Sequence, residues 1–450
     1  LEERMTAMGK AAVAAVLAVS LLLVGGMGLL RTMPDTEQGL RGAADAPSAS
    51  TFVQPVLSAG SLEDSITALQ DRLRLVPEDW QGYASLGLAY VAQARVTADP
   101  SWYPKAEGVL TTSLRLHGEG NVDAVLGLGA LALARHEFRD ALAQGRAAVD
   151  MSPENADAYG VVGDALIELG RHEEAFAAFQ TMVDTRPDLA SYARVSYARE
   201  LLGDLEGAVD AMRTALESAG SASDAAWAAH QLGELELGRG DVEAATGWFE
   251  RGLDLDPDQV ANLAGLARSA WVRGDAPLAI ERFEDVVARR PSVEDVAILG
   301  DLYAATGHPD LAEAQYAVVE AARELARSNG VNVDLEIALF DADHGDPEGA
   351  LAAARAEWQR RKSIQVADAY AWALYANGRF QDAARLSDRA LSLGTRNAAL
   401  LYHAAMIERA LGRQSVALHL MNRVLALNPR FSVLHAATAE RVRSELEART

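Results

Sequence analysis

The sequence predicts an all-α solenoid built from stacked helix-turn-helix units. The first observation behind this is a spacing of 34 residues that separates Ala141 from Ala175, Pro153 from Pro187 and Gly129 from Gly163. The second is a ladder of the same alanine position, Ala106, Ala141, Ala175, Ala208, Ala245, Ala279, Ala312, Ala350, Ala383 and Ala417, with steps of 35, 34, 33, 37, 34, 33, 38, 33 and 34. The third is a set of short turns at one phase, Gly170-Arg171, Gly203-Asp204, Gly240-Asp241, Gly274-Asp275, Gly345-Asp346, Gly378-Arg379 and Gly412-Arg413. A glycine there ends one helix in a left-handed conformation, and an aspartate caps the next. A helical hairpin of this length cannot bury its apolar face alone, so repetition at this period implies stacking.

Taken in order, residues 1–10 form a short N-terminal tail. Residues 11–30, AAVAAVLAVSLLLVGGMGLL, are 20 uncharged residues between Lys10 and Arg31. As a helix they reach about 30 Å, the hydrocarbon thickness of a bilayer, so a single transmembrane helix or uncleaved anchor is expected. The alternative is a cleaved signal peptide leaving a secreted soluble protein, for which Gly26-Met27-Gly28 is the nearest small-x-small site. Arg4 and Lys10 before the run favour a cytoplasmic N-terminus, placing the repeats outside the cytoplasm. Residues 31–60, rich in Ala, Ser, Pro and Gly, read as a flexible linker. Residues 61–79 hold a capping helix with Leu62, Ile66, Leu69 and Leu73 at helical period, residues 80–432 hold about ten repeats, and the charged stretch 433–450 reads as a C-terminal capping helix.

The small residues where two helices meet and the Pro that closes the unit resemble the tetratricopeptide repeat (TPR), over residues 61–450. That resemblance implies a right-handed superhelix whose first helices line a concave protein-binding face. More narrowly, the runs GYASLGLAYVAQARVTADPSWYPKAE (82–107) and DADHGDPEGALAAARAEWQRR (341–361) resemble a family of membrane-anchored TPR proteins from high-GC actinobacteria, which implies no particular activity. Three departures stand out: an insertion near 98–105, a loop at 218–223, and an eighth repeat without its closing Pro.

Forty-one basic against 64 acidic residues give a net charge of −23, which argues against nucleic acid as ligand. With no cysteine, disulfides, thiolate metal sites and cysteine nucleophiles are excluded. Gly127-Leu128-Gly129 lies within a helix, where Gly129 is the packing glycine, so it is no dinucleotide fingerprint. His172-Glu173-Glu174 lacks the second histidine of a zinc helix, Phe176 standing in its place. The run Asp341 to Asp346 has Gly345 at a calcium-ligand position and Ala352 where a glutamate belongs, so Asp346 is expected to cap a helix. No catalytic, cofactor or metal residues are expected, and the chain reads as no enzyme.

The repeat phase predicts which side chains face the concave groove: Arg194 and Tyr197 from repeat 4, Trp227, His230 and Gln231 from repeat 5, Arg268 and Trp271 from repeat 6. Repeat 9 adds Asp368, Trp372 and Tyr375, and repeat 10 adds Tyr402 and His403, with Met406 beside them. Trp, Tyr and Arg are the residue types that dominate interface energies. Trp102 and Tyr103, between two prolines in the first-repeat insertion, form a second candidate surface on a loop. A protein or peptide bound in the groove of a membrane-tethered scaffold is the expected function, and the alternative is a self-associating structural module of the envelope.

Overall fold

The computed structural model describes residues 62–97, 99–328 and 334–449. The apolar run 11–30 and the linker 31–60 lie outside the described residues, among which no helix is long and apolar enough to cross a membrane. The described residues form 22 helices and no strand. A lone helix, α1 (Leu62–Leu75), is followed by ten antiparallel hairpins: α2 (Trp80–Thr97) with α3 (Trp102–Leu116), α4 (Val122–Ala134) with α5 (Phe138–Met151), α6 (Ala156–Glu168) with α7 (His172–Thr185), α8 (Leu189–Leu201) with α9 (Leu205–Glu217), and α10 (Ala222–Gly238) with α11 (Val242–Leu255). The second five are α12 (Val260–Arg273) with α13 (Ala276–Arg289), α14 (Val293–Ala305) with α15 (Pro309–Ser328), α16 (Asp334–His344) with α17 (Pro347–Arg360), α18 (Ile364–Ala376) with α19 (Phe380–Ala390), and α20 (Ala398–Ala410) with α21 (Gln414–Leu427). A last helix, α22 (Ala436–Glu447), packs on α21.

Local chemistry sets the helix ends. Asp204, Asp241, Asp275 and Asp346 each accept the backbone N–H three residues on, satisfying a donor that the helix leaves orphaned. All ten ladder alanines are fully or almost fully buried, because any larger side chain would part the two helices of its hairpin. Large second-helix residues lock each hairpin to its neighbour: the fully buried Phe249 packs on Gly233 of its own repeat and on Gly265 of the next, leaving no room for a Cβ at either.

First helices touch the first helices of neighbouring repeats, as in α4 with α6, α10 with α12 and α18 with α20, while second helices meet no other second helix to a comparable extent. This places the first helices on the inner, tighter side of the curve. The curve then closes on itself. Early helices and the turns at their ends meet late loops and the helix ends beside them: Lys362 N donates to Glu168 O at 2.7 Å, Arg139 Nη2 to Gln359 O at 3.1 Å, Gln365 Nε2 to Tyr197 Oη at 3.1 Å, and Trp271 Nε1 to Arg430 O at 3.2 Å. Ile364 belongs to the core built on α4 to α8, and Leu393 and Leu400 pack against it. Successive turns of the superhelix are therefore in contact along a continuous seam.

Candidate functional site

The inward face of the first helices carries a charged interior. One position after the small packing residue stand Tyr197 (after Ser196), Glu234 (after Gly233) and Arg268 (after Ala267), on three consecutive first helices. Arg268 pairs with Glu234 at 2.5 Å and reaches Asp295 at 3.9 Å. Burial alone pushes the Glu234 carboxyl up, but Arg268 and then His230 outweigh it and hold it below the usual carboxylate value. On the opposite side Arg361 is buried between Glu357 and Glu168, with Glu168 Oε2 at 3.1 Å. Its field, with those of Glu357 and Glu294, reaches Glu336 on α16.

Two carboxyls in this interior are not matched by a cation. Burial, reinforced by Glu234, raises Glu200 to about 7, and burial raises Glu336 to about 7 against the weaker pull of Arg361. His230 is driven the other way, to about 4 by burial, and its Nδ1 has no hydrogen-bond partner. Five carboxylates (Glu168, Glu234, Glu294, Asp295, Glu357) and the two raised carboxyls, Glu200 and Glu336, thus interact with four guanidiniums (Arg268, Arg290, Arg360, Arg361) and a neutral imidazole. Acidic side chains outnumber the cations here, most strongly above about pH 7 where Glu200 and Glu336 lose their protons, and such a balance favours a cationic group. Among the described residues no cluster of three or more His, Asp or Glu is placed to hold a metal ion.

A tetratricopeptide-repeat family model matches residues 126–190 and 265–330. The chain carries tetratricopeptide repeats. Among curated proteins none matches the sequence. Solved structures similar to it include the human IFIT1 dimer with PPP-AAAA, 14% identical over 84% of this chain and 89% of that one with a TM-score of 0.45. The APC/C hetero-tetramer Cut9-Hcn1 is 12% identical over 89% of this chain and 96% of the other, TM-score 0.36. TTC0263, a thermophilic TPR protein from Thermus thermophilus, is 19% identical over 43% of this chain and 99% of its own, TM-score 0.38.

The repeats distribute the sequence-predicted groove residues over three surroundings. Tyr197, His230 and Arg268 join the charged interior, and Trp227 and Gln231 lie half-buried on α10 beside it. Trp271 is taken up by the seam, with Arg430 carrying its cation 5.7 Å from the indole ring. Arg194 is not a groove residue: it is 1% exposed, and its guanidinium forms a two-point pair with Asp164 at 2.9 and 2.7 Å, fixing α8 on α6. The glycine at 160 opens the space that the guanidinium fills, which is why a charged side chain serves as packing there.

Asp368, Trp372, Tyr402 and His403 are also buried rather than lining a groove. Trp372 stacks on His403 at 4.2 Å and on the half-buried Tyr375 at 4.7 Å, and donates to Asp343 at 2.7 Å. His403 Nδ1 meets Asp368 at 2.8 Å. The segment between α21 and α22 lies over this cluster, with His435 stacked on Tyr402 at 4.9 Å and 3.1 Å from Asp343, and Phe431 5.3 Å from Tyr402. Burial of His403 lowers its pKa, but Asp368 more than compensates and the net direction is upward. Trp102 and Tyr103 stand in the first turn of α3, not on a loop, since Pro104 follows in a turn whose N–H groups need no helical partner. Tyr103 is buried, and Trp102 packs 5.3 Å from Tyr90 with Lys105 above it at 3.7 Å.

Sequence reasoning missed Glu168, Glu200, Glu234, Glu336 and Arg361. The signal for Glu234 was present, because it shares the register of Tyr197 and Arg268. No local signal marks Arg361, whose partner Glu168 is 193 residues away.

Proposed function

We propose that the chain is a membrane-tethered, non-catalytic scaffold whose concave interior binds a basic segment of a protein partner. The observation that carries this reading is the excess of acidic side chains over guanidiniums around Glu234 and Glu200, beside the half-buried Trp227 and Gln231, an arrangement suited to a Lys or Arg side chain whose stem lies on an indole. The tether is the apolar run 11–30, followed by the linker 31–60, with the repeats outside the cytoplasm. The excess negative charge of the whole chain would steer a basic partner toward the interior.

Affinity capture with the full chain, set against chains carrying Glu234→Lys or Trp227→Ala, tests the reading. The expected outcome is a co-purifying protein whose recovery falls at least about tenfold with Glu234→Lys and recovers at low salt less than with Trp227→Ala. Partners retained equally by all three chains would place binding elsewhere.

A further inference from the structure

The seam inside the molecule joins two unlike rims. One is the rim of turns within hairpins, where Gly170, Gly203, Gly240 and Gly274 lie against Lys362, Gly394, Leu427 and Arg430. The other is the rim of loops that follow the second helices, which supplies Lys362, Gly394 and Arg430, with Leu427 at the helix end just before it. Each kind of rim also has an unjoined stretch. Gly307, Gly345, Gly378 and Gly412, on the turns of the last four hairpins, have nothing within 4 Å of a Cβ position. Among loops of the opposite kind, the one after α3 carries Gly118, which meets only Leu114 O of its own helix, and Gly120, which meets nothing within 4 Å of a Cβ position, and the chain beside the loops after α1, α3 and α5 is exposed.

Exposed large apolar side chains mark these same two stretches. Leu75 is 84% exposed, and Val76, Leu116 and Met151 lie between 40 and 49%, all on the early loop rim. Leu311 and Val416, each 47% exposed and each just before a ladder alanine, lie on the late turn rim, and the remaining one, Leu202, stands beside the existing seam. Leu116 and Met151 occur ten residues after ladder alanines Ala106 and Ala141, and Leu75 ten after the equivalent Ser65. Leu393 holds that register after Ala383, and it packs across the seam on the core of α4 to α8. The early rim therefore displays, uncovered, the apolar position that the seam covers elsewhere.

We propose that a second copy of this chain continues the seam: the loop rim of its α1 and first two hairpins docks on the turn rim of the last four hairpins of the copy before it. The two surfaces are different, so the contact is head-to-tail. Because it repeats the screw relation between successive superhelical turns, it extends rather than closes. The helix α22 packs on α21 at the end of the stack. The contact is independent of what fills the interior.

Sedimentation velocity of the full chain tests this, in a non-ionic detergent that screens the apolar run 11–30. Wild-type protein is expected to form species that grow with concentration without stopping at a dimer. Leu75→Glu with Met151→Glu, or Leu311→Glu with Val416→Glu, weakens association at least about tenfold while circular dichroism stays unchanged, as exposed positions allow. Mixing the two double variants restores one good interface and gives 1:1 pairs that do not extend. A monomer at every concentration, a dimer that does not extend, or rim variants that associate like wild type overturns the proposal.

Discussion

At the scale of single residues, the interior is held by charges whose environment decides whether they carry them. Arg194 and Asp164 form a pair with almost no access to water, and removing one member of such a pair costs about 3 to 5 kcal/mol because the other is left buried. Glu200 faces the opposite problem. Its ordinary value of 4.5 is raised to about 7, so the folded chain holds a proton there that the unfolded chain has lost. The sign follows: this residue's contribution to stability is complete below about pH 4.5 and is lost as pH rises through about 7. Glu200→Gln is expected to flatten the fall in stability between mildly acidic and neutral pH by about 1 to 2 kcal/mol, read from urea denaturation at several pH values, and an unchanged pH profile would mean Glu200 is ionised throughout.

At the scale of elements, turns within hairpins do two separate jobs. Gly240 at φ +85° and Gly412 at φ +77° both end a helix in the left-handed region, where a Cβ costs about 1 kcal/mol or more. Only Gly240 also abuts another part of the chain, the carbonyl of Leu427, with no space for a methyl group. Gly240→Ala is thus expected to lose clearly more stability than Gly412→Ala in parallel denaturation curves. Equal losses would show that the turn requires glycine for its backbone alone. Helices themselves were legible in the sequence, since caps, glycine turns and the buried alanine ladder act within a few residues of one another. The α3 start was not, because a proline in a helical first turn looks the same in sequence as a proline in a loop.

At the scale of the whole molecule, the seam turns an open superhelix into one whose turns support each other. Arg361 is its most buried link, 1% exposed and shared by Glu357 and Glu168. Arg361→Ala leaves both carboxylates without that cation. The expected outcome is a seam that parts before the repeats unfold, seen as a larger radius of gyration by small-angle X-ray scattering with helix content preserved. A variant as compact as wild type would show that apolar contacts such as Ile364 and Leu393 close the seam on their own.

The sequence by itself determined the repeating hairpin, its turns, its caps and the order of the units, because a 34-residue period records contacts between near neighbours. It also singled out Tyr197 and Arg268 as inward-facing, while Glu234 at the same register was passed over. Only the tertiary structure decided which inward residues join the charged interior and which are covered elsewhere: Trp271 by the seam, and Trp372, Tyr402 and His403 by one another and by the segment before α22. The physical reason is range. Those decisions rest on contacts such as Gln365 with Tyr197 and Trp271 with Arg430, 168 and 159 residues apart, which are set by the accumulated curvature of many repeats and leave no mark in the pattern of any one.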